Sequence, residues 1–289
     1  MKKKYLKTKE IIKILNEICP EELQAEWDNS GLQLGFSDKP LESVLISLDI
    51  DENVIEEAIS LKADVIITHH PLIFNPIKMI SDDDPISRLL MLLLKNEISV
   101  YSLHTNFDVL TGGNNDYLAK LLDIDDFDVL KESENFARIG RLKKPKSLLE
   151  LTNEIAKRLK IPREKMRIVK GKNAEISKVA WCTGAGADFI DSARESGADL
   201  FITGDVKYHD ALNARIKGIS VIDVGHYYSE EIFCENMKEM LNKKLNLIGS
   251  KEIGAHDSEY LILPTIHISK EFKDPFYSIE DLIGDERYD

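Results

Sequence analysis

The sequence predicts an α/β protein made of two related α/β domains with mainly parallel sheets. Three observations carry that expectation: an internal repeat, a strand–helix–strand pattern inside each copy, and polar, metal-compatible residues where the strands end.

The repeat pairs residues 44–70 with residues 179–205 without a gap, at an offset of 135. Val44/Val179, Ile55/Ile190, Ala58/Ala193, Ala63/Ala198, Asp64/Asp199, Ile67/Ile202 and Thr68/Thr203 are identical. In the first copy Val54, Ile55, Ala58, Ile59 and Leu61 share one face of a helix. Val65-Ile66-Ile67 and Leu200-Phe201-Ile202 are short β-rich runs, each opening after Ala-Asp. Strand, helix and strand joined by a crossover of this length imply a parallel pair with a right-handed connection. The likeness continues downstream, where residues 98–104 resemble residues 219–226. Both strands end in His, and four residues later each copy carries a carboxylate, Asp108 in the first and Glu230 in the second.

The expected domains are therefore 1–130 and 131–289, with the boundary in the polar stretch 123–135. A helix over about 147–159 follows Pro145, with Ser147 as its N-cap. Tyr260-Leu261-Ile262-Leu263 is strand-like, and the C-terminal tail is free to pack back on either domain, the first included.

Composition narrows the functional classes. Lys and Arg number 38 and Asp and Glu 51, a net charge of −13 that argues against a protein coating nucleic acid or an anionic membrane. Lys143, Lys144 and Lys146 form the densest basic group near a motif, and a solvated surface is the simpler reading of it. Cys19, Cys182 and Cys234 are widely spaced and form no CxxC pair, which suits a reducing compartment. The longest apolar run, residues 89–94, is far short of the roughly 20 residues of a membrane span. The basic start lacks an apolar stretch behind it, so no signal peptide is expected and the protein is expected to be cytoplasmic.

In open parallel sheets, ligands bind beyond the carboxyl ends of the strands. Thr68-His69-His70, His104 with Asp108, and His226 with Glu230 all fall there. Adjacent His69 and His70 leave a strand end where successive side chains diverge, so they can face two positions. A pair of metal ions about 3.5–4 Å apart suits such a set. Imidazole and carboxylate without thiolate favour Zn, Fe, Mn, Co or Ni over soft-ligand clusters and over all-oxygen Ca or Mg cages. A capped or surface histidine explains any one of these positions, but not their recurrence at matched places in both copies. His69 and His70 align with Gly204 and Asp205, so the second copy lacks the pair and a complete site needs both domains, in the cleft between them.

At this point a resemblance becomes specific. Thr68-His69-His70-Pro71-Leu72-Ile73-Phe74, His104-Thr105-Asn106-Phe107-Asp108 and Gly225-His226-Tyr227-Tyr228-Ser229-Glu230 resemble the motifs of the Nif3-like dinuclear metal centre family. So do residues 27–35, 138–142 and 179–186, and Asp274-Pro275-Phe276 resembles a weaker C-terminal feature. Members are known as GTP cyclohydrolase 1 type 2 homologues. The resemblance implies two divalent metal ions held by His69, His70, Asp108, His226 and Glu230. It puts His70 with Asp108 on one ion and His69 with His226 on the other, with Glu230 bridging. His104 is then a ligand or lies just behind one. The resemblance also implies a homohexameric toroid.

Smaller motifs keep two readings each. Asp205 and His209 either orient an anion or a ligand imidazole, or begin a solvated helix. Gly184-Ala185-Gly186 is a tight turn or a phosphate cradle, and is neither a Walker A loop nor GxGxxG. Asp28-Asn29 caps the site or a turn. Trp181 and Cys182 read as core, and His256 and His267 fit no motif. The function expected is a metal-dependent hydrolase acting on a nucleotide or phosphoester, with His104 and His209 as candidate catalytic acids or bases. The competing reading is a non-catalytic metal-bearing scaffold acting through partner binding.

Overall fold

The computed structural model describes residues 2–252, 259–278 and 281; His256 lies outside them. In chain order the elements begin with β1 (Lys2–Lys7), α1 (Thr8–Ile18), β2 (Gly31–Leu34), β3 (Pro40–Leu41) and β4 (Ser43–Ser47). There follow α2 (Glu52–Ser60), β5 (Val65–Thr68), α3 (Pro85–Lys95), β6 (Ser99–Ser102) and α4 (Thr105–Val109). The middle of the chain forms α5 (Asn114–Leu121), β7 (Phe127–Val129), β8 (Arg138–Ser147), α6 (Leu148–Arg158), β9 (Arg167–Val169) and β10 (Glu175–Trp181). Then come α7 (Ile190–Glu195), β11 (Leu200–Thr203), α8 (Tyr208–Lys217), β12 (Ser220–Asp223), α9 (His226–Glu230), α10 (Ile232–Glu252), β13 (Glu259–Ile262) and β14 (Thr265–Ile268). No helix of the described residues is long and apolar enough to cross a membrane.

Two compact units result: Met1–Leu110 with Phe233–Lys273, and Thr111–Ile232 with Asp274–Asp289. The chain divides earlier than the expected 130/131 boundary, because Leu118, Ala119 and Leu122 bury with Leu151, Val179 and Trp181 of the second unit. Phe233–Lys273 belongs to the first unit for the same reason. Phe233, Met237, Leu241 and Leu245 of α10 share a core with Ile11, Leu15, Val44 and Ile67.

The first unit holds a five-stranded sheet in the order β14-β4-β5-β6-β2, parallel except for β2. Alternation along β4 divides its residues between two layers. Val44 and Ile46 face α1 and α10, while Leu45 faces α2 and α3. Each such fully buried aliphatic side chain stabilises the fold by about 1.5–3 kcal/mol. The α2 helix follows the predicted spacing, with Val54, Ile55 and Ala58 buried and Asp51 capping the N–H of Val54 at 2.8 Å. The tail returns here: β13 pairs with β1 and β14 with β4, both in parallel. His267 sits on β14, opposite Leu45.

The second unit holds a six-stranded sheet in the order β7-β8-β10-β11-β12-β9. Only the β10–β11 and β11–β12 pairs are parallel, and the other three pairs are antiparallel, so this sheet is mixed rather than mainly parallel. Ser147 caps α6 as predicted, accepting from Glu150 N at 3.2 Å. Trp181 is fully buried and donates Nε1–H to the Asn115 carbonyl at 2.8 Å, and Cys182 is buried beside it.

The repeated Ala-Asp has a visible job. In the first unit Asp64 Oδ2 accepts from Glu42 N and Ser43 N, at 2.7 and 3.2 Å. In the second, Asp199 Oδ2 accepts from Ser177 N and Lys178 N, both at 2.9 Å. Each carboxylate ties the start of its own strand to backbone N–H groups in or next to the neighbouring strand's first half.

Candidate metal centre

In the first unit the chemistry gathers where β5 and β6 stop. Strand β5 ends at Thr68, and the N–H groups of His69 and His70 both turn back to the Leu48 carbonyl, at 3.2 and 3.1 Å. Because His70 lies past the strand, the alternation expected of the pair does not apply. The two rings tilt at 45° with centroids 5.0 Å apart. His104 starts α4, and its ring centroid lies 5.3 Å from that of His69 and 5.5 Å from that of His70. Three imidazoles therefore form one cluster.

Each of those rings is braced at Nδ1. His69 Nδ1 meets the Leu103 carbonyl at 2.7 Å, His70 Nδ1 meets Asp49 Oδ2 at 2.8 Å, and His104 Nδ1 meets Asp28 Oδ1 at 2.7 Å. A carbonyl or carboxylate oxygen only accepts, so Nδ1 carries the hydrogen, and in the neutral ring the lone pair is then on Nε2. That lone pair is the metal-binding end. His69 Nε2 lies 3.6 Å from Asp108 Oδ1, on α4.

Asp28 anchors this arrangement. Its buried carboxylate also accepts from Ser30 Oγ, Thr105 N, Thr105 Oγ1 and Asn29 N. Burial alone would push its pKa up, but the hydrogen bonds from His104, Thr105 and Ser30 outweigh it and hold the group well below the usual carboxylate range. Asp28 therefore stays an anion facing the Nδ1–H of His104.

The second unit carries a different arrangement. Strand β11 ends at Thr203 and continues into Gly204-Asp205, while α9 carries both His226 and Glu230. His226 and Glu230, one helical turn apart, place Nε2 and Oε2 at 2.8 Å. Asp205 Oδ2 braces His226 Nδ1 at 2.8 Å, so of its two sequence readings the orientation of an imidazole is the one seen. Gly184 gives Glu230 its room: at φ +66° it lies where a Cβ would stand 2.1 Å from Glu230 Oε1. The N–H of Gly184 goes to Ser229 Oγ at 2.9 Å and that of Gly186 to Thr203 Oγ1 at 2.9 Å. Both amides serve the fold, which favours the tight-turn reading over a phosphate cradle. His209 is exposed on the first turn of α8, its ring 5.3 Å from that of Tyr208.

The sequence reading did not single out Asp49 or the Leu103 carbonyl. Asp49 had a usable signal, since it follows β4, the strand beside β5, at the same carboxyl end. The Leu103 carbonyl had none, because a backbone oxygen has no residue type. Two lysines of the basic group are engaged in ion pairs, Lys143 with Asp125 and Lys146 with Glu154.

Comparison with known proteins is consistent with this geometry. A family model described as Duf34/NIF3 (NGG1p interacting factor 3) matches residues 6–256. A Clostridium perfringens protein named GTP cyclohydrolase 1 type 2 homolog is 35% identical over 276 residues, covering 94% of this chain and 99% of its own. A Helicobacter pylori protein named GTP cyclohydrolase 1 type 2 is 36% identical over 239 residues, covering 81% of this chain and 91% of its own. Among solved structures, a Bacillus cereus protein related to NIF3 superposes with a TM-score of 0.84 at 25% identity, covering 96% of this chain and all of its own.

Proposed function

The chain belongs to the Duf34/NIF3 family, and on that premise we propose that it is a dinuclear metal-dependent hydrolase acting on a nucleotide. The observation that carries the proposal is the uniform bracing of four histidines. His69, His70, His104 and His226 each hold Nδ1 on an oxygen acceptor. A ring that merely caps a strand needs no such partner, whereas a metal-ligating ring almost always has one.

In this reading His69, His70 and Glu230 chelate together, with Asp108 and His226 completing the set for two divalent ions of Zn, Fe or Mn type. The covalent chain supports the joining of the two half-sets. Phe233 packs its ring 5.1 Å from that of His69. Glu230 lies only three residues before it, a span of at most about 11 Å even when fully extended. The matched bonds of Asp64 and Asp199 support the reading of the two units as an internal duplication. The homohexamer belongs to the same proposal and rests on the family resemblance.

When bound, the ions would supply Lewis acidity and ease the deprotonation of water. The chain's own residues do the rest. His104, its Nδ1–H committed to Asp28, offers Nε2 as the group that takes or returns a proton. Asp49 and Asp205 orient the rings of His70 and His226 through Nδ1. In a ring-opening reaction water adds to the carbon between two ring nitrogens, a C–N bond breaks, and the nitrogen leaves with a proton.

The test is elemental analysis of purified protein, followed by assay of the Mn-, Fe- or Zn-loaded chain against GTP and a phosphoester panel. About two ions per chain are expected, with turnover that His70→Ala abolishes. A loaded chain inert across the panel overturns the hydrolase, and a chain that retains no ion overturns the metal centre itself.

A further inference from the structure

We infer that Trp27 and Phe74 form a stacking corner for the planar heteroaromatic ring of the substrate, a purine base, beside His104. The inference rests on the proposed hydrolase for the identity of that ring as the reacting group. It starts from a cost. Trp27 is 63% exposed and Phe74 46% exposed, although the fold has buried cores available to rings of this size. Large aromatic groups left together in water are informative when they are held rigidly, since an ordered apolar surface without a partner is otherwise unfavourable.

Both rings are held at their bases. The Trp27 loop is closed on one side by Ala25 N donating to Thr105 Oγ1 at 3.0 Å. On the other side it is closed by buried Asp28, which also grips His104. Ser30 N donates to Gln24 Oε1 at 2.9 Å and shuts the loop on itself. Phe74 follows Ile73, whose N–H donates to Gln33 Oε1 and whose carbonyl accepts from Asn29 Nδ2. The residues flanking both rings are thus fixed by the same short segment that fixes the histidine.

The rings of Trp27, Phe74 and His104 form a nearly equilateral triangle. Their centroids are 6.2 Å apart for Trp27–Phe74, 6.2 Å for Trp27–His104 and 6.3 Å for Phe74–His104. Their planes differ by 57°, 77° and 80° in the same order, so none is stacked on another. A separation of 6.2 Å is too narrow to sandwich a third ring, which needs about 7 Å. It suits a planar guest that lies on one aromatic face and meets the other at its edge. A guest seated there has His104 beside it, so the stacked group is the one presented to the imidazole cluster. Every nucleobase has the flat π-face this requires. An aliphatic or phosphate-only substrate would leave both rings unused.

The chain offers a convenient probe, because its two tryptophans are Trp27, exposed, and Trp181, fully buried. Guanosine titrated into the metal-loaded protein is expected to quench the Trp27 emission saturably, and inorganic triphosphate is not. By calorimetry, Trp27→Ala and Phe74→Ala should each weaken guanosine binding by about 10- to 100-fold, while Trp27→Phe keeps most of it. Bound metal and sedimentation behaviour should not change in any of them. The proposal is overturned if the native protein ignores guanosine, or if the alanine variants bind it as the native protein does. It is equally overturned if those variants change subunit assembly and leave guanosine binding alone, since the rings would then be an interface. Metal content and GTP turnover, measured separately, distinguish this failure from failure of the hydrolase: a chain that keeps its ions and turns over GTP, while its alanine variants bind guanosine as the native protein does, refutes only the stacking corner.

Discussion

The end of β5 and the end of β11 occupy aligned positions in the two units and solve opposite problems. After β5 come His69 and His70, with Asp49, beyond the neighbouring strand, bracing the second ring. After β11 come Gly204 and Asp205, and the residue aligned with Asp49 is Gly184. A Cβ on Gly204 would stand 2.8 Å from His226 N and 2.9 Å from the Gly184 carbonyl. The second unit has thus exchanged side chains at its strand ends for space, and that space admits Glu230 and His226 from α9. What the two units share is neither the number nor the position of these side chains. It is the oxygen behind each imidazole.

The comparison can be broken first at the braces. Asp28 is buried and accepts from several donors, whereas Asp205 is half exposed and holds one. Asp28→Ala strands those donors and should cost about 3 kcal/mol or more. Asp205→Ala should cost less than about 1 kcal/mol. Urea unfolding of the two variants checks the contrast, and equal losses would show that the halves are not built differently.

Next in size is the exchange of space for side chain. Gly204→Ala pushes a methyl into backbone that has nowhere to move, and about 1–3 kcal/mol of destabilisation is expected from a thermal melt. A neutral result would mean that the second unit had room for a histidine after all.

The shared feature is tested by affinity rather than stability. Asp49→Asn and Asp205→Asn keep size but allow the wrong tautomer, and each should weaken metal retention about 10- to 100-fold in chelator competition. If only one does so, bracing is a property of one half and not of both.

The smallest effect separates structural charge from site charge. Glu154 lies on α6 in the second unit, beside Lys146 and Arg158. Burial raises its pKa, but the hydrogen bonds and charges of those two cations together hold it below its ordinary value of 4.5. A depressed carboxylate contributes stability above its unfolded pKa and loses it as pH falls through the lower folded one. Native protein should therefore lose less than about 1 kcal/mol below pH 4.5 that Glu154→Gln does not, read as converging urea midpoints.

Several features were legible because they are local. The α2 face, the Ser147 cap and the apolar strand runs depend on residues within one turn or one strand of each other. The polar residues at the strand ends were visible because His and carboxylate recur in matched places. The division of the chain was not visible, because it depends on whose core α5 and α10 enter. Their apolar faces fit either unit equally well as patterns.

What the chain by itself determined is therefore the periodic elements and the residue types at their ends, with His69, His70, His104, Asp108, His226 and Glu230 among them. The family followed from the same residues in order. Only tertiary structure decided what stands behind each imidazole, where Gly184 must stay bare, and where the tail strands pair. The reason is separation along the chain. The bond from His104 to Asp28 joins residues 76 apart and that from His69 to Leu103 joins residues 34 apart. No local pattern encodes which of many distant oxygens a folded backbone will bring within reach.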